Sequence, residues 1–118
     1  MPDALPAPDD LVQLQRELDA ADNALADFAQ SKTAEYRARF PEPRQALQRA
    51  RWTEEDIAEF GRLRQAVQDL RTAVRQHPTT VRAHAAGCAR ETAQARKTAA
   101  RRRADRGQDR SPDGSPGC

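Results

Sequence analysis

The segment from Trp52 to His77, WTEEDIAEFGRLRQAVQDLRTAVRQH, decides the fold because it has the clearest helix pattern in the chain. Thr53 is suited to cap a helix that starts at the next residue, since its hydroxyl can accept a hydrogen bond from an amide of the first turn. Three acidic residues follow, where the helix dipole is positive. Trp52 and Ile57 occupy the positions that contact each other in a hydrophobic staple, and Asp56 occupies the reach-back position of a capping box.

Apolar residues recur at intervals of three and four in two segments, which predicts two amphipathic helices. The later stripe consists of Ile57, Phe60, Leu63, Val67, Leu70 and Val74. The earlier stripe has the heptad spacing of a coiled coil and consists of Leu11, Leu14, Leu18, Ala21, Leu25 and Phe28. It continues through Tyr36 and Phe40, with Lys32 in its middle. Lys32 either extends past its aromatic neighbours into solvent or marks a point where the seam opens.

These stripes predict an all-α fold built on a long antiparallel hairpin, with residues 10–40 packed against residues 53–77. Prolines at 41 and 43 end the first helix, and the short connector favours antiparallel packing. A weaker third helix is expected over residues 80–103, with disordered termini at 1–9 and 104–118. Gly61 lies at the edge of the second stripe, where it either permits a close approach of the first helix or is simply tolerated.

The third helix is predicted from a break and a stripe of small residues. Pro78 interrupts the second helix, so Thr79 or Thr80 is expected to cap the third; a kinked continuation of the second helix is the alternative. The stripe consists of Val81, Ala85, Cys88, Thr92, Ala95 and Ala99. Small side chains bury little apolar area, so this helix should be the least stable of the three.

The core is sparse, which favours association with a second polypeptide. Leu, Ile, Val and Phe together account for 16 of the 118 residues, below the usual share in folded domains. We therefore expect a homodimer or a complex with another protein. The predicted interaction face consists of Leu11, Leu14, Leu18, Leu25 and Phe28, although these residues suit an intramolecular hairpin equally well.

The charges are unevenly distributed, and the basic part suggests nucleic acid as an alternative partner. Residues 1–60 carry 7 basic and 13 acidic side chains, whereas residues 61–118 carry 13 basic and 5 acidic ones. The candidate phosphate-binding residues are Arg90, Arg96, Lys97, Arg101, Arg102, Arg103 and Arg106. No aromatic residues are interleaved with them, so base stacking is not expected. Arginine outnumbers lysine 18 to 2, and a GC-rich coding sequence explains the arginines as well as selection for binding does.

No segment has the spacing of a catalytic, cofactor-binding or small-molecule site. His84 and Cys88 are four residues apart, with His77 as a conceivable third metal ligand, but zinc sites need at least three protein ligands. We favour a small apolar cysteine beside a surface histidine and predict no metal and no cofactor. There is no secretion-signal layout and no apolar run of membrane-spanning length, so a cytoplasmic location is expected. The leading hypothesis is a non-enzymatic helical interaction or assembly module, and the alternative is an accessory nucleic-acid-binding protein.

Overall fold

The computed structural model describes the backbone of residues 4–109 and the side chains of residues 4–103. This part of the chain is helical and contains no strand, which confirms the predicted all-α fold. The helices are α1 (Asp9–Arg39), α2 (Ala46–Ala50), α3 (Glu54–Gln76), α4 (Pro78–Ala86) and α5 (Ala89–Asp109), with a 3-10 turn at Pro43–Gln45 before α2. The chain divides into two compact units. The hairpin unit is Asp19–Asp69, and the terminal unit is Met1–Leu18 with Leu70–Cys118.

In the hairpin unit, α1 and α3 run antiparallel, as predicted. The rings of Phe28 and Phe60 lie 6.4 Å apart, centroid to centroid. Further along α1, the Tyr36 hydroxyl donates a hydrogen bond of 2.8 Å to Asp56, which comes earlier on α3. Rising residue numbers on α1 therefore face falling numbers on α3. Both helices begin and end within one residue of the predicted bounds.

The predicted hydrophobic staple between Trp52 and Ile57 is wrong. The Trp52 ring instead lies edge-on to Phe28 at 5.9 Å and to Phe60 at 5.4 Å, while Ile57 is 58% exposed. An indole ring buries a large apolar area and prefers edge-to-face contact with other rings. Between Phe28 and Phe60, which lie on different helices, Trp52 buries more apolar area and makes more edge-to-face contacts than it would against Ile57. The other members of the α3 stripe are buried or half-buried, as expected.

The connector between α1 and α3 is held by polar contacts. Neither the 3-10 turn nor α2 has a buried residue, and Leu47 of α2 is 75% exposed. Arg49 donates from one guanidinium nitrogen, Nη1, to the carbonyl oxygens of Phe40 and Glu42, at 2.7 and 2.8 Å. The last carbonyls of a helix have no partner within the helix. Arg49 supplies one from the connector.

In the terminal unit, the first turns of α1 pack against α5. The buried apolar residues of this unit are Leu11, Val12, Leu18, Val74, Ala83, Cys88 and Ala100. Residues 4–8 are irregular, in keeping with the predicted lead-in, but the Leu5 amide donates a 3.0 Å hydrogen bond to the Thr92 hydroxyl of α5. Residues 1–3 of the predicted disordered segment lie outside the described residues.

The third helical segment consists of two helices, where the sequence predicted one over residues 80–103. The first begins at Pro78, and its cap is His77, whose Nδ1 accepts a 3.1 Å hydrogen bond from the Thr79 amide. It ends at Gly87, which has a φ of +77°. This left-handed conformation is natural for glycine and commonly terminates a helix. The second helix continues to Asp109, six residues beyond the predicted end, and residues 110–118 of the predicted tail lie outside the described residues.

The break at Gly87 also changes which side chains are buried. Val81 and Ala85, predicted to face inward, are exposed, whereas Ala83 is buried. Cys88 and Thr92 are buried as predicted. Beyond them Arg96 and Ala100 are the buried residues of α5, while Ala95 and Ala99 are half-buried. A single helix would keep one stripe on one face, but two helices separated by a left-handed residue do not share a face.

Candidate interaction surfaces

The predicted interaction face on α1 is used inside the chain. Leu11 is 0% exposed and Leu18 is 8% exposed. Leu14, Leu25 and Phe28 are half-buried, and Phe28 contacts two aromatic rings of the hairpin unit. This face does not present its leucines to a partner, because the intramolecular alternative accounts for them.

The predicted basic set divides into structural and surface residues. Arg96 is only 8% exposed, and its Nε donates a 2.8 Å hydrogen bond to the Gln15 side chain of α1. Its inclusion among the phosphate contacts is therefore wrong, because the guanidinium lies inside the terminal unit. Arg103 is paired with Asp9 and is half-buried. The Arg106 side chain lies outside the described side chains.

The remaining predicted basic residues with described side chains are exposed: Arg90, Lys97, Arg101 and Arg102. Arg90, Lys97 and Arg101 are spaced seven and four residues apart, which places them on one side of the helix. We call these three residues the basic row; it is about 16 Å long at ~1.5 Å per residue. A shallow groove beside it has Ala95 and Ala99 among its lining residues. Positive side chains along one side of a helix are a type of surface that can contact phosphates.

A polar cluster joins the end of α1 to the start of α3. The Tyr36 hydroxyl donates to Asp56 Oδ2 at 2.8 Å and accepts from the Thr53 amide at 3.2 Å. Lys32 Nζ lies 3.1 Å from Asp56 Oδ1. The Thr53 hydroxyl accepts from the Asp56 amide at 3.1 Å, so the predicted threonine cap is present. The predicted contact from the Asp56 carboxylate back to the Thr53 amide is not made. The Thr53 amide donates to the Tyr36 hydroxyl instead, and the Asp56 carboxylate binds Tyr36 and Lys32.

The contacts in this cluster keep its acid and its base charged. Hydrogen bonding from Tyr36 is the main cause that lowers the pKa of Asp56, and Lys32 contributes to the same effect. The hydrogen bond to Asp56 is in turn the main cause that raises the pKa of Lys32, with a further contribution from Glu35. Lys32 also lies 5.7 Å from the centroid of the Phe28 ring, so it neither projects freely into solvent nor opens the seam. One feature of the sequence could have predicted this contact. Phe28 faces Phe60, and in an antiparallel hairpin the position four residues later on α1, Lys32, faces the position four residues earlier on α3, which is Asp56.

The residues considered for a metal site are not assembled. His84 is exposed near the end of α4, whereas Cys88 is buried beyond Gly87. The shared helical face assumed from their spacing is therefore wrong. His77 is engaged by the Thr79 amide and, at 3.0 Å, by Asp10. Among the described side chains, no group of three histidine, cysteine or acidic residues could hold a metal ion.

A row of exposed residues follows the outward side of α3. Its members, spaced at three and four, are Glu54, Ile57, Gly61, Arg64 and Gln68, and we call them the outer row. A Cβ built on Gly61 would meet no atom within 4 Å. Of the two explanations considered for Gly61, a close approach of α1 is therefore excluded. The sequence did not predict this row, because the spacing of the apolar residues places Ile57 on the inward stripe.

These features define an all-helical protein with an antiparallel hairpin, an exposed basic row on α5 and an exposed outer row on α3. The chain belongs to the family described as a domain of unknown function, DUF8825, which matches residues 10–86, more than half of the chain. No match was found among curated proteins or among solved structures. The matched segment covers α1 to α4, so the basic row on α5 lies outside it. In the part of the chain that the structure describes, no helix combines the length and the apolar character needed to cross a bilayer.

Proposed function

We propose that this protein is a non-enzymatic helical module for protein–protein contact in the cytoplasm, and that the outer row of α3 is its contact surface. One observation carries the proposal: Ile57 is 58% exposed beside a mid-helix glycine with open space around it. Single exposed apolar residues are common on protein surfaces. The pairing with Gly61 is more informative, because glycine destabilises a helix interior by about 1 kcal/mol relative to alanine.

Contact with a partner would make both residues favourable. A partner side chain can approach the helix axis closely at Gly61, since no Cβ stands in the way. The same contact would remove Ile57 from water, which stabilises a complex in proportion to the apolar area buried. The leucine seam of α1 is already used within the chain, whereas Ile57 of the outer row is more than half exposed.

The proposal is tested by placing a photo-crosslinking amino acid at Ile57 in the full chain, expressed in its source cell. Ala66, exposed on the same helix but off the outer row, is the matched control position. We expect covalent adducts with protein at position 57 well above those at position 66. Equal adduct yields at the two positions would contradict the proposal.

A second candidate function is nucleic-acid binding through the basic row. The observation that favours it is that Arg90, Lys97 and Arg101 are all exposed on one side of α5. Three phosphate contacts should give a salt dependence with a slope of about −3 in log affinity against log salt. Gel retardation of DNA and RNA should weaken when these three residues are changed to glutamine. The control carries the same charge change on exposed residues of the hairpin unit, namely Arg37, Arg44 and Arg51. Absence of retardation at low salt, or equal loss in the control, would exclude this function.

A further inference from the structure

We infer that the outer row binds the outer row of a second copy of this chain, with the two α3 helices antiparallel about a two-fold axis. The inference rests on the proposed function and names its partner. Residues at spacings of three and four form one continuous line along a helix. All five members of this line are exposed, so the line is available for contact over most of the α3 part of the hairpin unit.

The order of residues along the row is complementary to its own reverse. It runs from an acid, Glu54, to a large apolar residue, Ile57, then to a gap at Gly61 and a base, Arg64. The acid precedes the isoleucine by three residues, and the base follows the glycine by three. When a second copy lies antiparallel, a single register therefore places Arg64 opposite Glu54 and also Gly61 opposite Ile57. A two-fold axis then makes each contact twice, which is the defining property of an isologous interface.

Size complementarity supports this register. Ile57 projects from one helix while the position opposite it, Gly61 of the second copy, lacks a side chain. The space that surrounds Gly61 in the monomer is open, so the isoleucine meets no intramolecular obstacle. Helices in contact lie about 8–10 Å apart, with the closer spacing at small residues. The two Ile57–Gly61 contacts would therefore form the centre of the interface.

Charge selects the antiparallel orientation. In that orientation Glu54 of each copy lies opposite Arg64 of the other, and both side chains are exposed. A parallel pairing in register would place Glu54 opposite Glu54 and Arg64 opposite Arg64, and it would also put the two isoleucines against each other. Like charges directly opposite are unfavourable, whereas opposite charges steer association and fix register.

The length of the row indicates a reversible dimer. From residue 54 to residue 68 the helix extends about 21 Å at ~1.5 Å per residue. A single helix–helix contact of this length buries less than the roughly 1,200 Å² of stable interfaces. We therefore expect a dimer that dissociates on dilution. Its dissociation constant should lie between about 10 µM, where the monomer prevails, and about 1 mM, where the dimer prevails.

Sedimentation equilibrium of the full chain tests the stoichiometry. The mass should rise with concentration from 13.1 kDa towards twice that value. A mass that stays at the monomer value up to about 1 mM, where an affinity of only about −4 kcal/mol would already be visible, overturns the inference.

Charge reversal tests the register. Glu54→Arg alone and Arg64→Glu alone should each weaken self-association at least about tenfold, because each puts two like-charged pairs across the axis. An equimolar mixture of the two variants should associate again, because both pairs are then attractive. Glu55→Arg is the matched control, since it removes an acid from the same first turn but off the row. Failure of the mixture to associate, or an equal effect of the control, overturns the register.

Filling the gap provides a readout that is independent of charge. Gly61→Leu should abolish self-association while the isolated chain stays folded and helical by circular dichroism, because the position is open in the monomer. Ala66→Leu places the same side chain at an exposed position off the row and should leave association unchanged. Undiminished association of Gly61→Leu would contradict the inference.

The outcome at position 57 separates this inference from the proposed function. Adducts between two copies of the chain support both. Adducts only with a different polypeptide, together with a monomeric purified protein, overturn the second copy as partner and leave the contact surface intact. Adduct yields no higher than at position 66 overturn both.

Discussion

Trp52 and Ile57 should respond very differently to truncation, although the sequence assigned them to one staple. The Trp52 ring contacts Phe28 and Phe60, at 5.9 and 5.4 Å between centroids. Ile57 is more than half exposed. Trp52→Ala should therefore remove the centre of the aromatic cluster that holds α1 and α3 together, whereas Ile57→Ala should remove little that contributes to folding of the monomer.

The sizes of the two effects follow from burial. Truncation of a buried tryptophan costs about 3–5 kcal/mol, and we take the lower end because Trp52 is only half-buried. Each edge-to-face ring contact accounts for about 0.5–1.5 kcal/mol of that loss. Ile57→Ala loses some partly buried area but gains helix propensity, so we expect a change within about 0.5 kcal/mol.

Urea denaturation followed by far-ultraviolet circular dichroism measures both values without relying on tryptophan fluorescence. Protein at low concentration keeps self-association from contributing to the stability of the isoleucine variant. A difference of about 2 kcal/mol or more between the variants should also appear as a difference in Tm of roughly 8 °C. Equal losses for the two variants, or a larger loss for Ile57→Ala, would refute the packing described for the start of α3.

Three further experiments have expected outcomes. Alanine at Gly87, where φ is +77°, should destabilise the protein by about 1–2 kcal/mol. Alanine at Gly61 should instead stabilise the monomer by up to about 1 kcal/mol. Thermal melts in which both variants shift Tm in the same direction would contradict this. Arg96→Ala should lower the free energy of unfolding by about 2 kcal/mol, because it removes a buried guanidinium and leaves the Gln15 side chain without that hydrogen bond. Arg101→Ala, at an exposed position, should cost almost nothing in the same urea titration. Folding lowers the pKa of Asp56 below its ordinary value of 3.8. The carboxylate therefore stabilises the fold fully above pH 3.8, and this stabilisation is lost as the pH falls through the lower pKa of the folded state. Asp56→Asn should flatten the acid limb of the stability–pH curve, and an unchanged limb would argue against this contact.

The hairpin could be predicted because its pattern is redundant. Leu11, Leu18 and Tyr36 on one helix and Val67 and Val74 on the other recur at helical spacing and are all buried. Prolines stop the first helix, and a short connector favours antiparallel packing. Each of these signals is local, and they agree with one another.

The errors arose where one residue decided between alternatives of similar local energy. Gly87 sits in an alanine-rich segment, where a glycine within a helix costs only about 1 kcal/mol. Its left-handed conformation splits the helix and redirects the following residues. As a result the helix that follows Gly87 buries Arg96, and the separate helix before it leaves Val81 exposed. Ile57 was misplaced because Trp52 packs against Phe60 and, across the hairpin, against Phe28 of α1, which is a tertiary preference.

The single guanidinium of Arg49 has a consequence for sequence variation among members of the family. It holds two carbonyls at the end of α1, while the connector around it contributes no buried side chain. Substitutions throughout residues 43–50 should therefore be nearly neutral, except at Arg49 and at Gln45, whose side chain accepts a hydrogen bond from the Glu42 amide. Relatives that lack an arginine here must satisfy the Phe40 carbonyl by another route, such as a longer final turn of α1, whereas the Glu42 carbonyl keeps its hydrogen bond from the Gln45 amide.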